Sequence, residues 1–323
     1  LEVAVVDAFD IYNEFASGKP EATAIRDFVK MLYDRAAGNA DLQPRFLLLF
    51  GDGSYDFKNL EYSANANTNK VPTFQSYPSI NPLSSFPADD YFGLLDDGEG
   101  DNLRTANVHL DIAIGRLPAN TALEADQMVD KIIHYSTSPE THGSWRNVIT
   151  FVADDEDNSI FVQQSDDIVD ELSPAQPAYN IDKIYLDAYE QVVGSGGQRY
   201  PEVNRAINNR IFSGTFIINY LGHGSSSSWT GERVLGTEDI DGWSNKDKLP
   251  LFITATCTFT RFDDPGKRSA GEHVILNPDG GGIALVTTTR IVEAGDNKRL
   301  NQEFYDHAFT PIDGKMPRLG EIM

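Results

Sequence analysis

Short apolar runs and amphipathic stretches alternate along the chain. Runs with the length of a buried strand lie at residues 46–50, 148–152, 215–220, 251–254 and 282–286. Between such runs the apolar positions recur at helical spacing, as in residues 20–35, where they form one stripe. Strands that alternate with helices are typical of βαβ units in a parallel sheet. The pattern therefore predicts an α/β protein with open, mostly parallel sheets flanked by helices.

The same patterns place the remaining elements and a boundary between two subdomains. Further strands are predicted at residues 1–10, 108–114 and 183–186, and further helices at residues 122–135, 161–172, 201–209 and 269–276. Residues 62–87, which are rich in Asn, Ser and Pro, are predicted to be loop. Residues 136–145 have the polar, Pro- and Gly-containing composition of a connector. We therefore expect an N-terminal α/β subdomain at residues 1–140 and a C-terminal subdomain at residues 141–323.

Charge and composition narrow the class of function. The 323 residues include 26 Lys and Arg against 49 Asp and Glu, and the net charge of −23 argues against general nucleic-acid binding because it repels phosphate backbones. No apolar run reaches the length of a membrane span. Such acidity is typical of a solvated extracytoplasmic or secreted surface, and calcium binding is the sharper alternative. Because the chain opens at Leu1 without a signal segment, we expect a fragment of a longer precursor.

Two residues with catalytic chemistry directly follow predicted buried strands. His223 follows one such strand, between Gly222 and Gly224, and Cys257, the single cysteine, follows the next one. Because the carboxyl ends of parallel strands share one edge of a sheet, where ligand sites lie, we expect the imidazole and the thiol to meet. Taken singly, Cys257 is a buried structural thiol and His223 a turn residue as readily as a catalytic group. Together they favour a Cys–His dyad.

This pairing supplies what nucleophilic catalysis by a thiol needs. A free thiol has a pKa near 8.5, and a neighbouring imidazolium lowers the pKa of a thiol and protonates the leaving amine. Gly224 lets the backbone approach a substrate carbonyl, so its N–H and that of Cys257 are candidates for an oxyanion hole. No cofactor is required for this chemistry.

The residues around these positions resemble the gingipain family of caspase-like cysteine peptidases. The matching blocks, in chain order, are DAFDIYNEFASGKPEATAIRDF, FLLLFGDGSYD, ADDYFG, IAIGRLP, NYLGHGSSSSW and LPLFITATC, so the resemblance covers essentially the whole chain. Within that family, TATCTFTRFDDP, GEHVILNPDGGGIALVTTTR and LLDDGEGDN are most similar to the PorU-type sortase of the type IX secretion system.

The resemblance implies a caspase-like fold of two subdomains and a cysteine peptidase at the outer cell surface. By position it implies that Cys257 is the nucleophile, that His223 is the general base and that Asp154 is the acid that orients the histidine, although gingipains have the longer Glu there. A solvated acidic loop or a cation site is the alternative for Asp154 and its acidic neighbours. The sortase branch further implies removal of the C-terminal sorting domain of secreted cargo. Its acyl-enzyme passes to an anionic lipopolysaccharide amine, and outer-membrane secretion proteins are its partners.

The departures from the family concern substrate specificity. The gingipain acid that selects basic P1 side chains falls here in the apolar region of Phe161, and the tryptophan wall of that pocket has no counterpart at residues 292–294. We therefore expect a small or polar P1 residue. Candidates for lining the substrate cleft are Trp229, Thr289 and Arg290, with core packing as the alternative for Trp229.

One acidic loop is a candidate calcium site. Residues 94–102 offer the carboxylates of Asp96, Asp97, Glu99 and Asp101 on a Gly-containing loop. The spacing is not that of an EF-hand, so a solvated loop is the alternative, and the gingipain resemblance is what implies structural calcium.

Three functions follow from these observations. The first is a sortase that cleaves cargo and transfers it to an amine. The second is a secreted gingipain-like endopeptidase that only hydrolyses. The third belongs to another class, a catalytically silent surface module stabilised by calcium.

Overall fold

The strands of the computed structural model lie where most of the apolar runs predict them. The structure describes residues 2–61, 68–76, 85–100, 103, 109–195, 197–312 and 314–322. The helices are α1 (Ala8–Ala16), α2 (Ala22–Ala36), α3 (Ala122–Thr137), α4 (Glu156–Ala175), α5 (Pro201–Ser213), α6 (Thr237–Asp241), α7 (Ala270–Leu276), α8 (Ala294–Ala308) and α9 (Leu319–Ile322).

The strands fall into one large sheet and several two-stranded pairs. They are β1 (Phe46–Phe50), β2 (Phe74–Gln75), β3 (Pro87–Ala88), β4 (Ala113–Leu117), β5 (Val148–Ala153), β6 (Asn180–Tyr185), β7 (Val192–Gly194), β8 (Gly197–Arg199), β9 (Ile217–Leu221), β10 (Ser228–Trp229), β11 (Leu235–Gly236), β12 (Leu251–Ala255) and β13 (Ala284–Val286). The large sheet is parallel throughout, in the order β13-β12-β9-β5-β6. In the N-terminal part, β1 pairs with β4, also in parallel.

Helices cover both faces of the large sheet. Successive side chains of a strand point to opposite faces, and both faces of β9 are buried. One face packs against α4 and α8, the other against α5, α6 and α7. In the N-terminal part, α1 and α2 pack with β1 around Ile25 and Leu49. The predicted α/β architecture of parallel sheets flanked by helices is therefore confirmed.

The order of the strands places a topological switch point in the middle of the sheet. From β5 the chain adds β6 on one side, and it then adds β9, β12 and β13 on the other. In open α/β sheets a ligand crevice forms where the strand order reverses, outside the carboxyl ends of the strands. The crevice between the ends of β5 and β9 is therefore where this topology favours a site.

The N-terminal part departs from the predicted elements. Residues 2–7 form no strand, and the predicted strand ends in a helix, since Asp7 caps α1 by accepting a 2.9 Å hydrogen bond from the Phe9 N–H. Val3 and Val5 are exposed. Only the end of the predicted strand at residues 108–114 falls in a strand, β4, and Val108 lies outside the described residues.

The boundary predicted between residues 140 and 141 stays a prediction. A buried lysine joins the two sides of it. The Lys131 ammonium on α3 donates to the carbonyl oxygens of Ile275 at 2.6 Å, Asn277 at 2.9 Å and Gly280 at 3.2 Å.

Among the described residues, no helix combines the length and the apolar character that crossing a membrane requires.

Candidate active site

The strand register sets the predicted catalytic residues side by side. Ala153 at the end of β5 pairs with Leu221 at the end of β9, and Leu221 pairs with Ala255 at the end of β12. His223 lies two residues beyond Leu221, and Cys257 lies two residues beyond Ala255. Neighbouring strands are about 4.8 Å apart. The two residues therefore follow adjacent strand ends at the same offset, on the carboxyl edge of the sheet.

Asp154 binds the backbone of the histidine rather than its ring. The carboxylate is completely buried, and it accepts hydrogen bonds from the N–H of His223 at 2.9 Å and the N–H of Glu156 at 3.2 Å. Burial raises the pKa of Asp154 to about 6, against these two hydrogen bonds, which lower it. The expected contact between Asp154 and the imidazole is therefore replaced by a contact that fixes the His223 main chain.

The imidazole of His223 instead pairs with acids at the start of α4. Its Nε2 lies 2.9 Å from Oδ2 of Asp157 and 3.8 Å from Oε2 of Glu156. The ring of Phe161 packs edge-to-face on the imidazole, with the ring centroids 5.2 Å apart. The sequence gives no signal for Asp157, because residues 157–159 adopt left-handed backbone conformations that no spacing rule predicts.

The thiol of Cys257 is half-buried and faces the segment after β13. Its Sγ lies 3.7 Å from the carbonyl oxygen of Val292. The loop that carries Cys257 is tied to the same segment, because the N–H of Thr258 donates to the carbonyl of Arg290 at 3.1 Å. Within the described part of the chain, His223 and Cys257 make no hydrogen bond to each other. Catalytic hydrogen bonds are often long in ligand-free structures and tighten when substrate binds.

Gly224 brings the histidine loop onto the cysteine loop. A Cβ at Gly224 would lie 2.4 Å from Oγ1 of Thr256, the residue before Cys257. The bridge between Gly224 and Trp229 uses the N–H groups of neighbouring residues. Among the described residues, neither the Gly224 N–H nor the Cys257 N–H donates to another protein group. Their role as oxyanion donors stays a prediction.

Two of the three residues predicted to line a cleft, Trp229 and Arg290, make contacts within the protein. Trp229 has no exposed surface and stacks on Tyr220, with the ring centroids 4.3 Å apart, which favours the packing alternative. The guanidinium of Arg290 contacts the fully buried carboxylate of Asp263 at 2.8 and 2.5 Å and also donates to the carbonyl of Thr289. The structure leaves the role of Thr289 toward substrate a prediction.

The predicted calcium loop does not gather its carboxylates in the described residues. Asp101 lies outside those residues, and Asp96, Asp97 and Glu99 form no cluster of ligand atoms there. Two basic side chains contact this loop. Lys30 lies 3.1 Å from Asp97, and Arg26 donates to the carbonyl of Glu99. Calcium binding here stays a prediction.

Among His, Cys, Asp and Glu of the described residues, one potential metal-ligand group exists, at the site itself. Asp154, Glu156 and His223 each offer a ligand atom within 4.8 Å of the others. It lies between the ends of β5 and β9, where the imidazole is already paired with Asp157.

Known proteins resemble this chain in sequence and in fold. Lys-gingipain of Porphyromonas gingivalis is 27% identical over 152 residues, which cover 46% of this chain and 8% of that protein. The complex of the pro- and mature domains of RgpB from the same organism superposes with a TM-score of 0.67 at 20% identity, over 91% of this chain and 60% of that chain. Dimeric latent PorU from this organism matches 42% of this chain and 13% of its own, at 37% identity and a TM-score of 0.35.

This chain therefore spans less than a tenth of the curated relative and about three fifths of the RgpB chain. The RgpB superposition confirms the gingipain-like fold. The model of peptidase family C25 matches residues 1–323, and the chain therefore belongs to peptidase family C25.

Proposed function

We propose that this protein is a cysteine endopeptidase in which Cys257 is the nucleophile and His223 the general base. The observation that carries the proposal is the equal offset of the two residues beyond the paired positions Leu221 and Ala255, at the carboxyl edge of the sheet. This β9–β12 pair lies next to the switch point between β5 and β9. Family C25 membership across the whole chain supports the same chemistry.

The contact between the imidazole of His223 and Asp157 indicates which ring nitrogen carries the proton and which acts as the base. Asp157 accepts a hydrogen bond from Nε2 of His223, which leaves Nδ1 as the basic nitrogen. Nδ1 takes the thiol proton of Cys257, and the thiolate attacks the scissile carbonyl carbon. The N–H groups of Gly224 and Cys257 bind the oxyanion that forms. The C–N bond then breaks as the imidazolium protonates the leaving amine, and a thioester with Cys257 remains.

The fate of that thioester distinguishes a sortase from a hydrolase. The sortase reading rests on the sequence blocks around Cys257 and at residues 94–102 and 271–290. In this reading the substrates are C-terminal sorting domains of secreted cargo, and the acceptor is an amine of anionic lipopolysaccharide at the outer membrane surface or outside the cell. An endopeptidase that only hydrolyses gives the thioester to water instead.

Peptide cleavage by matched histidine variants tests the dyad. His223→Ala should lower kcat/KM by at least about a thousandfold, within the range that general acid–base catalysis supplies. His273→Ala is the control, because His273 forms a similar pair with Asp241, with 2.6 Å between Nδ1 and Oδ1. It should stay within about twofold of wild type. Equal activity in both variants would rule out the dyad.

Product analysis with an added amine then separates the two peptidase readings. Wild type is incubated with a peptide substrate and increasing concentrations of glycinamide, and the products are identified by mass spectrometry. A sortase yields the glycinamide adduct in proportion to the amine, whereas a hydrolase yields the free acid at every concentration. A protein that releases neither product is the silent module of the third reading.

A further inference from the structure

Three hydrogen bonds hold the main chain of His223. Its N–H donates to Asp154 at 2.9 Å, and its carbonyl oxygen accepts from the hydroxyl of Tyr220 at 2.6 Å and from the N–H of Thr230 at 2.8 Å. We propose that Tyr220 is a positioning residue of the active site, whose hydroxyl fixes the peptide plane of His223 and so the direction of its imidazole. This inference rests on the proposed peptidase function.

The histidine loop needs an external constraint because both of its flanking residues are glycines. Glycine has the widest backbone freedom of any residue, so Gly222 and Gly224 leave His223 free to rotate about its neighbours. At Gly222 the glycine is required by a close approach, since a Cβ there would lie 2.4 Å from the Tyr220 hydroxyl and 2.4 Å from Cβ of Asp154. The gap therefore admits the phenol oxygen only because residue 222 lacks a side chain.

Tyr220 is itself held rigidly. Its side chain has no exposed surface, and its ring lies nearly parallel to that of Trp229, at an interplanar angle of 10°. Its backbone pairs with Val152 on one side and Thr254 on the other. Burial, with the negative charge of Asp154, raises the pKa of Tyr220 well above its usual value of 10. The hydroxyl therefore keeps its proton and donates throughout the working pH range.

The direct test removes one oxygen atom. Tyr220→Phe should lower kcat by about 10- to 100-fold with little change in KM, because the imidazole loses its fixed direction while the substrate contacts remain. The fold should survive, since the Thr230 N–H still satisfies the carbonyl of His223. Tyr305→Phe is the matched control. It also removes a buried phenol oxygen, but one without a partner among the described residues, and its kcat should not change.

A second readout separates positioning from general damage. The rate of Cys257 alkylation by iodoacetamide is measured from pH 5 to 9 in wild type, Tyr220→Phe, His223→Ala and the double variant. Tyr220→Phe should slow alkylation near pH 6 by about tenfold, and it should have no further effect once His223 is absent. Equal slowing in both backgrounds would overturn the inference, as would a Tyr220→Phe variant that matches Tyr305→Phe.

The same data distinguish failure of the inference from failure of the peptidase proposal. If His223→Ala labels like wild type, the dyad and the inference fall together. If His223→Ala labels slowly but Tyr220→Phe labels like wild type, only the inference falls. Should Tyr220→Phe unfold, Trp229→Phe keeps the hydroxyl but loosens its stacking, and its indole N–H has no partner among the described residues. That variant should show a smaller drop in kcat of the same kind, and an unchanged kcat would overturn the inference.

Discussion

Replacing Asp52 by Asn should stabilise this protein increasingly as the pH rises. Asp52 is buried just after β1, where its Oδ1 accepts a 2.9 Å hydrogen bond from the Gly53 N–H. Burial, with the charge of the nearby Glu272, raises the pKa of Asp52 from 3.8 to about 8. A raised carboxyl pKa gives stability that is complete below the unfolded pKa and is lost as the pH rises through the folded pKa.

The size of the pKa shift of Asp52 sets the expected difference in the free energy of unfolding. One pKa unit corresponds to about 1.4 kcal/mol. Asn is neutral at every pH, so the free energy of unfolding of Asp52→Asn and wild type should be similar near pH 4. The advantage of the variant should then grow by about 1.4 kcal/mol per pH unit and level off above pH 8, at on the order of 6 kcal/mol.

Urea unfolding at pH 4.5, 6, 7 and 8.5 measures this difference. The comparison with wild type cancels the titration of Asp154, whose pKa burial raises to about 6. The Asp52–Glu272 repulsion is part of the measured difference, because the Asn variant removes it. Asp296→Asn is the control. Its side chain is 71% exposed in an ion pair with Arg299, so it should change stability by less than about 0.5 kcal/mol at any pH. A stability difference for Asp52→Asn that does not change with pH would refute the reasoning.

Two further substitutions test contacts around the site. Gly224→Ala forces a Cβ to within 2.4 Å of Thr256 and should lower kcat/KM by about a hundredfold, whereas Gly231→Ala, with no atom within 4 Å, should leave it unchanged. Arg290→Gln leaves the buried Asp263 carboxylate without its cation and should cost about 3–5 kcal/mol in urea unfolding. A decrease in the free energy of unfolding of less than about 1 kcal/mol would contradict this role of the Arg290–Asp263 ion pair. The double variant Arg290→Gln/Asp263→Asn should regain most of the stability that Arg290→Gln loses.

The apolar runs predict the large sheet because its strands are buried on both faces. Continuous runs such as residues 148–152 and 251–254 leave no alternative to a central strand, and both become strands within a residue. The opening residues 1–10 have the same β-rich composition, but residues 2–7 form no strand and residues 8–10 begin α1, which Asp7 caps. Helix α8 was not predicted, because its sequence AGDNKRLNQEFYDHA is largely polar and buries few side chains.

The site is predictable only as far as strand ends determine it. His223 and Cys257 can be predicted because ligand sites lie at the carboxyl ends of parallel strands. Both residues follow such ends, and the register of β9 and β12 pairs the strand positions that precede them. The family resemblance, rather than the strand ends, indicates Asp154. It does not indicate that Asp154 binds the backbone of His223 and not its ring, because that choice depends on the local path of the main chain. Asp157 reaches His223 because residues 157–159 adopt a left-handed backbone conformation. Tyr220 reaches it through a hydrogen bond from its hydroxyl to the carbonyl of His223. The sequence pattern predicts neither contact.

The central claim is that His223 activates Cys257, and alkylation of that thiol tests it most directly. Cys257 is the only cysteine of the chain, so uptake of iodoacetamide reports on it alone. We expect wild type to react at pH 6 at least about ten times faster than free cysteine and His223→Ala to lose this advantage. Slow alkylation at the same rate in both proteins would contradict it.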